Sequence, residues 1–116
     1  MAITITSADR IISVTIMDFP GKRITAVKGM VRGIIVRSPT ISQGFMGGLK
    51  QFVGGNIGAY TEMCEQARAE AHQLMLKHAH ELGCNAVIGV RYESSDVGTQ
   101  SRATEVLCYG TGVVVE

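Results

Sequence analysis

The 116-residue sequence predicts an α+β fold, in which an antiparallel sheet carries one long and one short helix on one face, in the order ββααββ. Two patterns support this prediction. Apolar residues alternate with other residues in extended segments near both ends of the chain, whereas between those segments they recur at helical spacing. With 46% hydrophobic and 18% charged residues, the chain has the composition of one globular domain, and we expect a single domain over residues 1–116.

The first two predicted strands form a hairpin. The segment Ile11–Met17 alternates apolar residues, and Asp18–Gly21 supplies a turn before the second strand, Arg23–Arg37. Gly29 and Gly33 lie on one face of that second strand. Because glycines leave no side chain there, we expect a helix to cross the strand on this face.

Two helices are predicted in the middle of the chain. The short helix, Phe45–Val53, has apolar residues at i, i+4, i+7 and i+8 and ends at Gly54–Gly55. The long helix, Tyr60–Leu82, has a continuous apolar stripe along one side. Gly83 follows it at the position of a C-terminal cap, so we expect the helix to end there.

The chain ends in two predicted strands, of which the first has one wetter face and the second is apolar on both faces. They are Ala86–Glu93 and Ala103–Val115, joined by a polar loop at Ser94–Ser101. One long helix covers only one face, and a second copy of the chain is the simplest cover for the other. We therefore expect a homo-oligomer, with Val106 and Val114 in the contact between copies.

The composition excludes several classes of partner. Lys and Arg number 11 against 10 Asp and Glu, with no basic run, and there are only three Tyr, three Phe and no Trp. We expect no nucleic-acid partner, since binding phosphates needs a basic surface and stacking on bases needs aromatic side chains. The first residues lack a signal-peptide pattern, and no apolar run reaches the roughly 18 residues that span a bilayer. The three cysteines have no CxxC spacing, which is typical of reduced thiols, so we expect a cytoplasmic protein without membrane contact.

Histidines and cysteines are the candidate metal ligands. His80 and Cys84, at i and i+4, are the one pair whose spacing could share an ion, although Gly83 breaks the helix between them. The alternative for His80 is a solvated surface residue. A metal site formed by residues of two subunits remains an alternative. The other donors have structural interpretations: a packed histidine (His78), a solvated histidine (His72) and core cysteines (Cys64 and Cys108).

A glycine-rich loop is the candidate site for a small ligand. Gly54 and Gly55 leave backbone N–H groups free to bind an anion, Lys50 adds positive charge, and Tyr60 begins the long helix just after them. The alternative is that these glycines cap one helix and turn the chain into the next. No GxSxG, HExxH or paired-carboxylate pattern occurs, so we assign no catalytic residue.

Four stretches of the chain match the residues of a known family: Gly21–Ile24, Gly48–Gly55, Ala67–Arg68 and Leu82–Val90. With them the sequence resembles the YbjQ family, small prokaryotic domains described as heavy-metal-binding. The resemblance runs from Ile12 to Glu116 and leaves the N-terminal residues outside the family core. It implies an α+β domain that assembles as a homopentamer. Family members commonly have Arg-Ser before the tyrosine and Glu after it; this chain has Asn56, Ile57 and Thr61 instead, which argues against a charged contact there.

Three functions are compatible with these observations. The leading one is a non-enzymatic binding or scaffold protein that assembles as a ring, with five copies implied by the resemblance. The second is a heavy-metal-binding protein with sites between subunits. No motif requires a cofactor. The family description suggests a divalent heavy metal as the ligand for such sites. The third is an enzyme acting on a small molecule, with a site at the glycine loop and Tyr60.

Overall fold

Four strands and one long helix make up the part of the chain that the computed structural model describes, residues 10–37, 57–97 and 103–116. The α+β class is confirmed, and the predicted short helix lies outside these residues. Within them, no helix combines the length and apolarity needed to cross a membrane. The elements are β1 (Ile12–Ser13), β2 (Ile24–Arg37), helix α1 (Ile57–Glu81), β3 (Ala86–Val97) and β4 (Ala103–Val115).

Strand β1 does not form the predicted hairpin with β2. The strands are ordered β1-β3-β4-β2, and β1 pairs in parallel with β3, so the sheet is mixed and the antiparallel prediction is wrong. The strand is only two residues long. Val14 and Phe19, from the segment that follows it, pack against Ala86, Ile88 and Val113 on the sheet. This packing buries apolar surface on the face opposite the helix, which favours the observed path over a hairpin.

Helix α1 packs closely on β2 at Gly33, as predicted, but not at Gly29, where no heavy atom lies within 4 Å of the Cβ position. A Cβ atom on Gly33 would collide with the carbonyl oxygen of Ala71 and the backbone nitrogen of Met75. Only glycine lets the two backbones approach in this way. Gly29 has another role: its φ is 116° and it lies beside a register shift that begins at Val27, where the backbone conformation favours glycine.

Helix α1 ends at the predicted glycine cap. Gly83 has a φ of 82°, and its N–H donates to the carbonyl of His80 at 3.0 Å. The N–H of Cys84 donates to the carbonyl of Ala79, also at 3.0 Å. The helix begins at Ile57, slightly earlier than predicted.

Strand β4 has the predicted bounds, whereas β3 is longer than predicted. Strand β3 continues into the predicted polar loop as far as Val97, which pairs with Ala103. The hydrogen bonds to β4 keep these polar residues extended, and a pattern of side chains does not reveal such pairing. Gly89, with a φ of 64°, lies at a register shift in β3, so Val87 and Val90 both face the helix.

The sheet has two apolar faces, and helix α1 covers only one of them. Val106 is 7% exposed and packs in the core beneath the helix, so the prediction that it lies between copies is wrong. Strand β4 points alternate residues to the two faces, and Val106 falls on the covered side. Val114 is half-buried and pairs with Ala26 on β2. The buried residues of this core are Ile11, Val31, Ala67, Ala71, Met75, Leu76, Ala79, Cys84, Val87, Val90, Val106 and Cys108.

Candidate functional site

The second face of the sheet is covered at one end and open at the other. Val14 and Phe19 cover the end that carries Ala86, Ile88 and Val113. At the other end three side chains of β2 are exposed, and two of β4 are half-buried. We call these five residues the bare face: Met30, Ile34, Val36, Leu107 and Tyr109.

A groove of about 350 Å³ runs over the bare face. Its floor is apolar, and a cation and an anion line its margins. Arg32 is on β2 and Glu93 is on β3, on either side of β4, which separates them by two strand spacings, about 10 Å. The volume suits a small ligand or the apolar side chains of another protein surface. The lining residues are Met30, Arg32, Ile34, Glu93, Leu107 and Tyr109.

The sequence predicted the apolar part of this groove but not its charged margins. The alternation in β2 placed Met30 and Ile34 opposite the helix-facing glycines, and the alternation in β4 marked a second apolar face. No sequence pattern marks Arg32 and Glu93 as groove residues, because the register of three strands brings them to the groove. Register of this kind is set by tertiary pairing.

Two of the histidines join the helix to the sheet. His78 is half-buried, as predicted, and its Nδ1 accepts a hydrogen bond from the backbone N–H of Arg32 at 3.1 Å. The Nε2 of His72 lies 2.8 Å from the hydroxyl of Ser13, and burial lowers the pKa of His72. The prediction that His72 is a solvated residue is therefore wrong. His80 is half-buried in the last turn of the helix.

The surroundings of Cys84 do not favour metal binding. Cys84 is 2% exposed, and its side chain packs against Gly112, which leaves the thiol no open side towards β4. Burial raises the pKa of the thiol, and the charge of Lys28 opposes this only in part. Metals bind the thiolate, which burial disfavours. Among the described residues, no group of three or more His, Cys, Asp and Glu could hold a metal ion. A site with His80 and Cys84 therefore needs further ligands from another part of the chain or another copy.

The other two cysteines differ in their environment. Cys108 is fully buried, as predicted, with its Sγ 3.6 Å from the Sδ of Met75. Burial raises its pKa, and a hydrogen bond with Tyr92 opposes that shift. The guanidinium of Arg68 lies 5.3 Å from the centroid of the Tyr92 ring, so this group of side chains ties the helix to the sheet. Cys64 is exposed, and the prediction that it is a core residue is wrong.

The predicted glycine-loop site falls largely outside the described residues. Lys50, Gly54 and Gly55 belong to the part of the chain that is not described. Tyr60 lies in the first turn of helix α1. The site stays a prediction.

Comparison with known proteins identifies the family. A family model with the description "Putative heavy-metal-binding" matches residues 11–116. The chain belongs to the YbjQ family. It is 60% identical to a UPF0145 protein of Legionella pneumophila over 98 residues, which are 84% of this chain and 91% of that protein. It is 53% identical to a UPF0145 protein of Francisella tularensis over 102 residues, 87% of this chain and 96% of that one.

A solved structure shares the YbjQ fold of this chain. It is a crystal structure of a protein of unknown function from the DUF74 family of Pediococcus pentosaceus, with a TM-score of 0.61. The match covers 91% of this chain and 98% of the other, at 19% sequence identity. At this identity the likeness concerns the fold.

Proposed function

We propose that this YbjQ-family protein is a non-enzymatic binding or scaffold protein whose copies assemble into a ring, of five by the family resemblance. The bare face carries the proposal. Met30 is 65% exposed, Ile34 44% and Val36 43%, and all three lie on one face of β2, where Arg32 stands between Met30 and Ile34. Contiguous apolar surface on a soluble protein typically marks a contact with a partner.

Covering the bare face with a partner contributes favourably to the free energy of association. Burying a fully exposed side chain of this kind contributes about 1.5–3 kcal/mol, so these partly exposed ones are expected to contribute about 1 kcal/mol each. The bare face contains five such side chains, and all of them contribute to the binding free energy when a partner covers this face.

The charged margins of the groove also support a protein partner. Arg32 and Glu93 are both exposed, and neither forms an ion pair within the described ranges. Opposite charges around an apolar centre orient a partner and exclude wrong ones. A partner surface that carries a basic and an acidic side chain beside apolar ones is complementary to this groove.

Native mass spectrometry of the untagged protein, purified without chelator, tests the proposal. We expect a ring at the mass of the bare chains. Ile34→Glu, which places a charge in the apolar floor, is expected to give a monomer. Gln73→Glu adds the same charge on an exposed position of helix α1 and should leave the ring intact. A monomeric native protein would overturn the proposal.

We also propose that the protein is located in the cytoplasm. All three cysteines, Cys64, Cys84 and Cys108, are free thiols, which agrees with a reducing compartment. Fractionation of cells that express the untagged chain tests this. Recovery from the periplasm would contradict it.

A second candidate function is metal binding between subunits, which the description of the matching family model favours. It predicts that His80→Ala and Cys84→Ser both lower the amount of divalent metal that the assembled protein retains, measured by elemental analysis. Cys64→Ser, at an exposed thiol, is the matched control. Unchanged metal content in both variants would remove these two residues from the hypothesis.

A further inference from the structure

Arg32 is a charged residue that lies among the apolar side chains of the bare face. Met30 and Ile34 flank it on β2, and Tyr109 pairs with it on the neighbouring strand β4. Alternate residues of a strand point to the same side of the sheet, so these side chains rise from one surface. All four line the groove. A partner that covers Met30, Ile34 and Tyr109 therefore contacts Arg32 as well.

The backbone of Arg32 is held in place independently of its side chain. The N–H of Arg32 donates to Nδ1 of His78 at 3.1 Å, which ties β2 to helix α1 at this residue. The next residue, Gly33, faces the helix, so the side chain of Arg32 is directed to the opposite face. A substitution of the Arg32 side chain therefore leaves the hydrogen bond to His78 available.

Within the described ranges no carboxylate neutralises Arg32. The two ion pairs found there involve other arginines, Arg23 and Arg37. Glu93, the acidic residue of the same groove, lies two strand spacings away, about 10 Å. Arg32 is exposed, so water solvates its charge in the single copy.

Covering the bare face removes water from the guanidinium of Arg32. An ionised side chain that loses its hydration opposes binding unless an opposite charge and new hydrogen bonds replace the water. The planar guanidinium presents a fork of N–H donors, which a carboxylate matches with two parallel hydrogen bonds. A carboxylate beside apolar side chains is therefore the chemistry that fits this part of the bare face.

We propose that the copy that covers the bare face presents a carboxylate to the guanidinium of Arg32, and that this ion pair determines which surface binds there. The inference rests on the proposed function and assigns a residue that makes the contact specific. An apolar surface without such a carboxylate leaves Arg32 desolvated and unpaired, and it is rejected for that reason.

Arg32→Met tests the ion pair, because it removes the charge and keeps a long apolar side chain. Methionine adds apolar surface to the bare face, so hydrophobic burial alone would strengthen the assembly. We expect instead that the dissociation constant between copies rises at least about 30-fold, as is typical when one partner of a buried charge pair is removed. Lys77→Met removes the same charge at an exposed position of helix α1, and this control should assemble like the native protein. Analytical ultracentrifugation over a range of concentrations measures all three.

A charge-reversal series identifies the carboxylate of the neighbouring copy. Arg32→Glu is expected to be a monomer, because two carboxylates then face each other. Each of the ten acidic side chains of the chain is changed to lysine in turn in the Arg32→Glu background, and one of these changes is expected to restore the assembly. Circular dichroism checks folding. Where lysine prevents folding, the neutral amide takes its place, which removes the repulsion and should restore part of the assembly.

The outcomes separate this inference from the proposed function. If the native protein assembles and Arg32→Met assembles as tightly, the guanidinium meets no carboxylate, and the inference is wrong while the proposed ring stands. The inference is also wrong if Arg32→Met weakens the assembly but no second change restores Arg32→Glu, since Arg32 then contributes by packing alone. If the native protein is a monomer, the proposed function and this inference fail together.

Discussion

The Nδ1 atom of His78 accepts a hydrogen bond of 3.1 Å from the backbone N–H of Arg32, so helix α1 occupies a hydrogen-bonding position on strand β2. Strand β2 lies at the end of the sheet, and none of the strands in the described part of the chain pairs with its outer edge. Free edges of this kind invite unwanted strand pairing, and proteins commonly cover them. His78 covers one such position.

Replacement of His78 tests this role. His78→Ala removes the acceptor and is expected to lower the free energy of unfolding by about 1 kcal/mol. His78→Gln keeps an acceptor on a flexible side chain and should recover part of the loss. Urea denaturation measures both variants. Equal stability of the alanine variant and the native protein would show that the hydrogen bond contributes nothing.

Gly33 sets the distance between the helix and the sheet. A methyl group there would collide with backbone atoms of Ala71 and Met75, which cannot move without shifting the whole helix. We expect Gly33→Ala to cost about 3 kcal/mol or more, at the upper end of the range for overpacked cores.

Gly21→Ala is the control for this variant. Gly21 has a φ of 83° and open space around its Cα atom, so alanine there is expected to cost about 1–2 kcal/mol through the backbone alone. Thermal denaturation compares the two. The close approach at Gly33 would be refuted by a Gly33→Ala variant as stable as Gly21→Ala.

The glycines show how far the sequence predicts this fold. The roles of Gly33 and Gly83 were predictable because each depends on its own element alone. Gly33 leaves space on a strand, and Gly83 adopts a positive φ after a helix. Gly29 and Gly89 lie at register shifts, which depend on the strands beside them. The sequence therefore predicted the helix end and the helix–β2 contact, but not which residues of β3 face the helix.

The path of β1 and the margins of the candidate groove were beyond prediction for a related reason. The turn residues Asp18–Gly21 are typical of a hairpin, yet burial of Phe19 on the far face directs the chain elsewhere. Arg32 and Glu93 are far apart in the sequence, and β4 brings them to one groove. Local patterns contain no information about such long-range pairing.

His72 is expected to make the stability depend on pH. Burial lowers the pKa of His72 below its ordinary value of 6.5, so the folded state favours the neutral ring more than the unfolded state does. The contribution of His72 to the free energy of unfolding is fully present above about pH 6.5, and it is lost as the pH falls towards the lowered pKa of the folded state. His72→Gln cannot titrate and should lose less stability than the native protein between pH 7.5 and pH 5.

Urea denaturation of both proteins at the two pH values checks this. His78 and His80 are present in both, so their contributions cancel in the comparison. The predicted contribution of His72 is absent if the two proteins lose the same free energy of unfolding between pH 7.5 and pH 5.

The three cysteines are expected to differ sharply in their reactivity. Cys64 is exposed, whereas Cys84 is 2% exposed and Cys108 is fully buried. Burial raises the pKa of both buried thiols, which lowers the fraction present as reactive thiolate. In the folded protein one thiol per chain should react rapidly with a chromogenic disulfide reagent, and the other two should react only as the structure opens.

Urea and Cys64→Ser provide the controls for this experiment. In urea all three thiols should react at similar rates, and Cys64→Ser should lose the rapid phase in the folded protein. Protection of Cys84 bears on the metal hypothesis as well, because a metal that enters from solvent needs the same access to the thiol as the reagent. Rapid reaction of Cys84 in folded Cys64→Ser would show that this thiol is accessible, and it would strengthen the case for a metal site that uses Cys84.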